Sequence, residues 1–185
     1  MKMLLLIDLS NDFIRLEGSL NCGEAGLAIL PYCRQQVKNF LTHGQLVVDA
    51  RDNHDPEDWE ISSGLFPPHN LRGTWGQELV EEISSLHEMA KQGQWLTLSK
   101  KQYNATSGTN LLSILEEYEV DEIHLVGVCT DICVRYTLNG LYEWKTAQSR
   151  NLRLVVHQQG VASFNEVGHL DSLRHFPATF GAEVV

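Results

Sequence analysis

Cys133 has the position in this sequence that best suits nucleophilic chemistry. It lies where an apolar run gives way to a helical pattern that begins near Asp131. A thiol in the first turn of a helix lies at the positive end of the helix dipole, which lowers its pKa and favours the thiolate. The backbone N–H groups of the same turn could stabilise an oxyanion. The alternative is a small buried apolar residue, which is what most free cysteines are.

Two charged residues, Asp8 and Lys100, follow other apolar runs that have the length of a buried strand. A carboxylate at such a position could act as a general base towards a thiol. A lysine between the acid and the thiol could hold the thiolate charge and orient the acid. Each residue also has an ordinary interpretation, because aspartate is common in turns and lysine is mostly a solvated surface group.

Asp52, His54 and His69 have the residue types of metal ligands, and they lie in the long irregular stretch Arg51–Gly76. Asp52 and His54 are two residues apart after a strand-like run, so both can turn towards one point, and two prolines stiffen the approach to His69. One carboxylate and two imidazoles suit zinc, manganese or iron, with water completing the shell. The alternative is a solvated loop. Because loops of this length are usually functional, we expect a divalent metal ion here, with zinc as the first choice.

Short apolar runs alternate with longer amphipathic stretches, which is typical of β-α-β folds. The predicted strands are Leu4–Ile7, Leu46–Val48, Trp95–Leu98, Ile123–Val126, Leu152–Val156 and a short edge strand, Glu183–Val185. The predicted helices are Ala28–His43, Gln77–His87, Leu111–Tyr118, Asp131–Trp144 and Asn165–Phe176. We therefore predict a three-layer α/β/α domain over residues 1–185, with a central, mostly parallel sheet. Ligands bind beyond the carboxyl ends of such strands, so the candidate residues should meet at one edge of the sheet.

The composition excludes several classes of protein. The chain has 185 residues, of which 43% are hydrophobic and 21% charged, as in ordinary globular domains. Its net charge of −10 argues against nucleic acid or an anionic membrane as a partner. The apolar N-terminal run Met3–Ile7 is too short for a signal peptide, so we expect a cytoplasmic protein with reduced thiols. Cys22 and Cys33 are expected to be structural.

Three segments resemble the motifs of the isochorismatase-like cysteine hydrolases. They are Leu4–Phe13, Lys100–Leu111 and Gly127–Thr137, and Thr179–Ala182 adds to the resemblance near the end of the chain. What the resemblance implies is a catalytic triad and an oxyanion hole beside a cis peptide bond. The residues concerned are Asp8, Lys100 and Cys133 for the triad, Val128–Cys129 for the cis bond, and the N–H groups of Cys129 and Cys133 for the oxyanion hole.

Within that superfamily, two pieces of the irregular stretch are similar to the metal-binding nicotinamidases. They are Asp52–His54 and Leu65–Thr74. The implied activity is hydrolysis of nicotinamide to nicotinate and ammonia, and of pyrazinamide too, through a thioester on Cys133. The implied metal is held by Asp52, His54 and His69 and binds the ring nitrogen of the substrate, and we expect a homo-oligomer. Alternatives are another small-amide or ureido hydrolase of the superfamily, or a non-catalytic zinc-binding or thiol-sensing protein.

Other positions extend the predicted site. For a further metal ligand Ser62 aligns best, with Glu60 and Glu57 as rivals, and the spacing from His54 to His69 is slightly shorter than is usual in the family. The candidates for substrate binding are Phe13, Trp75 and Cys129, since aromatic rings can stack on a flat pyridine, although Phe13 and Trp75 also suit core packing. We expect Tyr103 and Trp144 to be packing residues, and Thr106 stands where the family usually has an aromatic residue.

Overall fold

The apolar runs form a six-stranded sheet in which all neighbouring strands are parallel. The structure is a computed structural model and describes residues 1–185. Its strands are β1 (Lys2–Ile7), β2 (Leu46–Asp52), β3 (Trp95–Lys100), β4 (Glu122–Val128), β5 (Arg153–Ala162) and β6 (Glu183–Val184). Their order across the sheet is β3-β2-β1-β4-β5-β6, so the direction of winding reverses between β1 and β4.

Helices cover both faces of the sheet, which confirms the predicted three-layer α/β/α fold. They are α1 (Asn11–Ile14), α2 (Gly23–Ala28), α3 (Leu30–Thr42), α4 (Trp59–Ser62), α5 (Glu81–Ser84), α6 (Leu111–Glu117), α7 (Arg135–Ala147) and α8 (Glu166–Phe180). Side chains of a strand alternate between faces. Accordingly, Leu4 of β1 packs in the cluster that contains Val37 of α3, whereas Leu5 packs with Leu138 of α7. None of these helices has the length and apolar character needed to span a bilayer.

The predicted helix Gln77–His87 is wrong in most of its length. Only α5 is α-helical there, with 3₁₀ turns at Trp75–Gln77 and His87–Met89 on either side. Residues 78–80, between the first 3₁₀ turn and α5, are extended because their backbone pairs with the turn after β1. The N–H of Val80 donates to the carbonyl of Leu9 at 3.0 Å. A contact between distant parts of the chain therefore overrides the local helical pattern.

The predicted helix Ala28–His43 corresponds to α3, and it is preceded by α2, a short helix that was not predicted. Pro31 lies in the first turn of α3, where a missing N–H costs little.

The carboxyl ends of the central strands bring the candidate residues to one edge. Ile7, the residue before Asp8, pairs with Gly127 of β4. Gly127 has a φ of 123°, and a Cβ there would lie 1.9 Å from the carbonyl oxygen of Ile7, so this close approach requires glycine. On the other side of β1, Asp52 of β2 pairs directly with Lys100 of β3. This edge, at the point where the strand order reverses, is where open α/β sheets bind ligands.

Candidate active site

The structure brings Asp8, Lys100 and Cys133 together beneath the edge of the sheet. The ammonium nitrogen of Lys100 lies 2.6 Å from Oδ2 of Asp8. The Cys133 sulfur and one carboxylate oxygen each of Asp8 and Asp52 all lie within 4.8 Å of one another. All four side chains are buried. A thiol, an acid and a lysine in contact are the groups that a cysteine hydrolase needs.

Asp8 is directed into the site by its backbone. It has a φ of 54°, in the left-handed region that aspartate tolerates better than most residues. Its N–H donates to the carbonyl of Ala50 at 2.9 Å, and its Oδ1 accepts the N–H of Asp52 at 2.8 Å. The carboxylate is thus held against the end of β2, with Oδ2 towards Lys100.

Cys133 lies in a π-helical turn, Thr130–Val134, between β4 and α7. Such turns occur often at functional sites. The peptide bond between Val128 and Cys129 is cis, as the resemblance implies. The carbonyl of Cys129 accepts the N–H of Val134 at 3.1 Å, and no hydrogen bond within the protein uses the N–H of Cys129. That N–H is a candidate donor to an oxyanion.

The surroundings of the Cys133 sulfur favour the neutral thiol, contrary to the thiolate expected from the sequence. Burial raises the pKa of Cys133 well above its usual value, and the charges of Asp8 and Asp52 add to this against the lowering effect of Lys100. Burial, with the charge of Asp52, raises the pKa of Asp8 to about 7 although Lys100 opposes it. Burial alone would lower the pKa of Lys100, but the two carboxylates raise it well above its usual value. The resting thiol is therefore neutral, and Asp8 has a pKa suited to a general base near neutrality.

The structure also brings together Asp52, His54 and His69, all buried, with one possible ligand atom from each within 4.8 Å of the others. Nε2 of His54 is 3.8 Å from Oδ2 of Asp52 and has no hydrogen-bond partner, although it is buried. A buried imidazole nitrogen without a partner is costly unless it binds something else. These residues therefore fit a metal ion.

Contacts to the other ring nitrogens leave Nε2 of each histidine available. Nδ1 of His69 lies 2.9 Å from the carbonyl oxygen of Pro67, and Nδ1 of His54 lies 3.4 Å from Oδ2 of Asp58. When Nδ1–H donates to such an acceptor, Nε2 carries the lone pair. This arrangement is the usual one for histidines that ligate metals.

For the further ligand, the geometry favours Glu60 over Ser62. Oε1 of Glu60 lies 3.8 Å from Nε2 of His69, and its side chain is only 14% exposed. Ser62 and Glu57 are exposed. Residues two apart in a helix point about 200° from each other, so Ser62 faces away when Glu60 of α4 faces the histidines. Of the candidates named from the sequence, the rival Glu60 is therefore better placed than Ser62.

Cys133 of the triad and two of the metal-type residues, Asp52 and His69, line the same narrow cavity. Its walls are mostly apolar, and no lysine or arginine lines it. The lining residues are Phe13, Leu20, Asp52, Glu60, Phe66, His69, Tyr103, Cys129, Ile132, Cys133 and Phe164. The cavity therefore suits a small ligand with apolar surface and no anionic group.

Of the predicted substrate-binding residues, Phe13 and Cys129 line the cavity and Trp75 does not. The ring of Phe13 lies 5.4 Å from that of His69. Trp75 is 46% exposed and lines a separate open groove, because its segment pairs with the turn after β1. Tyr103, expected to be a packing residue, lines the cavity instead, whereas Thr106 does not.

The remaining wall residues, Leu20, Phe66, Ile132 and Phe164, were not predicted as site residues from the sequence. Phe66 directly precedes the two prolines before His69, and that position could have identified it. No local pattern marks Leu20 or Phe164, which reach the cavity from other parts of the chain.

Hydrogen bonds hold the irregular stretch that carries His69 at both of its ends. The N–H of His54 donates to the carbonyl of Asn70 at 3.0 Å, and the carbonyl of His54 accepts the N–H of Arg72 at 2.9 Å. Asn70 is in turn held by the segment after β1, because its N–H donates to Oδ2 of Asp12 at 2.7 Å. Hydrogen bonds thus fix the backbone at His54 and beside His69.

A parallel α/β sheet with a buried thiol, acid and lysine at its strand ends is the arrangement expected of an isochorismatase-like cysteine hydrolase. The chain belongs to the isochorismatase family, whose domain matches residues 2–185. Over 185 residues it is 40% identical to the uncharacterized isochorismatase family protein PncA of Bacillus subtilis, covering 99% of this chain and 98% of that protein.

Two solved structures resemble the protein over its whole length. The crystal structure of nicotinamidase PncA from Bacillus subtilis superposes with a TM-score of 0.90 at 39% identity, covering 100% of this chain and 98% of that one. The pyrazinamidase/nicotinamidase from Streptococcus mutans also gives a TM-score of 0.90, at 31% identity and 100% coverage of both chains.

Proposed function

We propose that the protein is a nicotinamidase that hydrolyses nicotinamide to nicotinate and ammonia and also accepts pyrazinamide. One observation carries the proposal: Cys133 and the metal-type residues Asp52 and His69 line the same narrow cavity. A nucleophile for the carboxamide carbon thus lies beside groups that can hold an ion for a ring nitrogen. The names of the similar proteins from Bacillus subtilis and Streptococcus mutans support the same activity.

In the proposed reaction, Asp8 accepts the proton of the Cys133 thiol while the sulfur attacks the carboxamide carbon. The oxyanion that forms is stabilised by the N–H groups of Cys129 and Cys133. Asp8 returns the proton to the departing nitrogen, ammonia leaves, and a thioester remains on Cys133. Asp8 then deprotonates a water molecule, which attacks the thioester. Nicotinate leaves, and the sulfur regains a proton as the thiol.

Lys100 supports both forms of the nucleophile in this scheme. Its ammonium is buried against Asp8 and Asp52, and the charge of Cys133 also raises its pKa. It therefore stays protonated while the sulfur changes between thiol and thiolate. A fixed positive charge stabilises the thiolate when it forms, and the contact with Asp8 orients the base.

A divalent ion would be held by Asp52, His54 and His69, with Glu60 as the further protein ligand. Zinc is the first choice for this donor set, and manganese and iron are the alternatives. When bound, the ion would supply a Lewis-acid site for the ring nitrogen. The phenyl ring of Phe13 and the other apolar walls would hold the flat substrate ring in place and exclude water.

A second candidate is hydrolysis of another small amide or ureido compound. The cavity favours uncharged substrates, because Asp52 and Glu60 line it and no lysine or arginine does. A substrate with its own carboxylate would have no cationic partner at the wall. This charge pattern ranks nicotinamide and pyrazinamide above amides that carry an acid group.

The test is ammonia release from a panel of amides by the purified protein and by Cys133→Ala. We expect turnover of nicotinamide and pyrazinamide, little turnover of an N-carbamoyl amino acid, and none by the variant. Preference for the carboxylate-bearing substrate would favour the second candidate. Absence of ammonia release from every amide would favour a non-catalytic zinc-binding or thiol-sensing protein.

A further inference from the structure

Asp58 has an unusual position for a residue at the start of a helix. It immediately precedes α4, where an aspartate normally accepts an N–H from the first turn, yet its side chain makes no such bond. Oδ2 instead accepts the N–H of Asp55 at 2.9 Å and lies 3.4 Å from Nδ1 of His54. Oδ1 accepts from the ammonium of Lys101 at 2.9 Å. The carboxylate thus faces the metal-type residues and is held from the outside by a lysine.

The ring of His54 depends on this contact. Hydrogen bonds to Asn70 and Arg72 fix the backbone of His54, but they do not fix the rotation of the imidazole or the position of its proton. The side chain of His54 is 1% exposed, so bulk water cannot accept a hydrogen bond from Nδ1–H. For His69 a backbone carbonyl, that of Pro67, does this work. For His54 the acceptor is a side chain and can be changed by substitution.

We propose that Asp58 is a positioning residue for the metal centre, which keeps His54 in the tautomer that presents the lone pair of Nε2 to the ion. This inference rests on the metal part of the proposed function. Lys101 assists by holding the carboxylate of Asp58 in place. Contacts of this kind contribute about 10–100-fold to metal affinity in proteins where they have been removed.

The test compares zinc affinity, by competition with a chromophoric chelator, in metal-stripped parent, Asp58→Ala, Asp58→Asn and Asp55→Ala. We expect about 10–100-fold weaker binding for Asp58→Ala. Asp58→Asn should recover part of the affinity, since its amide oxygen can still accept from Nδ1–H. Asp55→Ala is the matched control, because the Asp55 carboxylate also bonds Lys101 in the same loop but makes no hydrogen bond to the His54 ring. Its affinity should stay within about threefold of the parent. Zinc affinity of Asp58→Ala within about threefold of the parent, or an equal loss in Asp55→Ala, would overturn the proposal.

The tautomer of His54 provides a second measurement that does not need metal. In ¹⁵N spectra of the stripped parent, His54 should be protonated at Nδ1, and Asp58→Ala should show a mixture of tautomers. Unchanged nitrogen shifts in Asp58→Ala would also overturn the proposal. If the parent binds no zinc, the metal part of the proposed function fails, while this spectrum still decides whether Asp58 orients His54.

Discussion

The ammonium nitrogen of Lys100 lies 2.5 Å from Oδ1 of Asp52. This contact joins the candidate triad to the metal-type residues. The pairing of β2 with β3 places the two residues opposite each other. Because Lys100 also contacts Asp8, one buried cation serves both the acid beside the thiol and the first residue of the metal-type group. Short hydrogen bonds between charged groups are among the strongest in proteins.

Replacing Lys100 with methionine should destabilise the protein strongly. The substitution leaves Asp8 and Asp52 buried without a cation, and breaking such a pair typically costs about 3–5 kcal/mol. The free energy of unfolding in urea measures the effect. The matched control is Lys101→Met, where the lost ion pairs are at the surface, are screened by solvent and should contribute far less. Equal losses in the two variants would show that the buried contacts have no special role.

The thiol of Cys133 should form a covalent adduct with the 3-aldehyde analogue of nicotinamide. The aldehyde carbon occupies the place of the carboxamide carbon, and the sulfur adds to it to give a thiohemiacetal. Intact-mass spectrometry should show the adduct on the parent and not on Cys133→Ala. Cys33→Ala is the control, because that thiol is equally buried but lies in the core, away from the cavity. An adduct that persists in Cys133→Ala would mean that another residue is the nucleophile.

Loss of metal should affect nicotinamide more than benzamide. Benzamide lacks the ring nitrogen, so an ion in the cavity gives it no added binding. In His54→Ala we expect a steep rise in KM for nicotinamide and little change in the already poor turnover of benzamide. Steady-state kinetics on chelated, metal-analysed samples, before and after adding back zinc, manganese or iron, measure this. Full nicotinamide turnover in a sample shown to be free of metal would contradict the assignment.

Glu60 and Ser62 give a paired test of the further ligand. Glu60→Gln keeps the shape of the side chain and removes its charge, so it should weaken zinc binding by at least about 10-fold, as loss of a supporting group commonly does. Ser62→Ala should leave the affinity unchanged, because Ser62 is exposed. Chelator competition on the two variants decides between them. The reverse order of effects would restore Ser62 as the ligand.

Glu122 should make stability depend on pH at the opposite edge of the sheet. Hydrogen bonds reach its carboxylate from the side chains of Lys2, His124 and Arg153. Burial raises the pKa of Glu122, but these bonds outweigh burial and lower it from 4.5 to about 2. A carboxyl whose pKa falls on folding stabilises the folded state above its unfolded pKa, and this contribution disappears as the pH falls towards 2.

The measurement for Glu122 is urea unfolding of the parent and of Glu122→Gln between pH 6 and pH 2.5. The parent should be more stable by about 1–2 kcal/mol at pH 6, after allowance for solvent screening, and the difference should shrink steadily towards pH 2.5. Nicotinamide turnover at neutral pH should not change, because Glu122 is remote from the cavity. A difference in stability that is constant over this range would contradict the assigned pKa shift.

The strand pattern was enough to predict which chemical groups meet. Asp8, Asp52, Lys100 and Cys133 all follow or end apolar runs, and parallel strands bring such positions to one edge. The sequence could not predict where side chains point beyond that edge. The direction of Trp75 depends on pairing between two distant segments, and the choice between Glu60 and Ser62 depends on the rotation of a four-residue helix.

The protonation of Cys133 was also beyond sequence reasoning. Its place at the start of a helical segment suggested a thiolate, since the helix dipole favours a negative charge there. Burial and the carboxylates of Asp8 and Asp52 act in the opposite direction and dominate. Both effects depend on how tightly other strands and loops enclose the sulfur, and neighbouring residues in the sequence do not carry that information.

The fastening of the irregular stretch has a consequence for how the site can evolve. His54 is bridged to Leu71, and Asn70, next to His69, is bonded to Asp12. The backbones of both histidines are therefore placed by the ends of the irregular stretch, but Asp58 and Glu60 reach the two imidazoles from within it. Insertions and deletions are tolerated where loop residues are exposed. Only the exposed part of this stretch, residues 62–65, can therefore change in length without disturbing the site. The slightly shorter interval between His54 and His69 is compatible with the metal-type geometry when the difference in length falls in this exposed part.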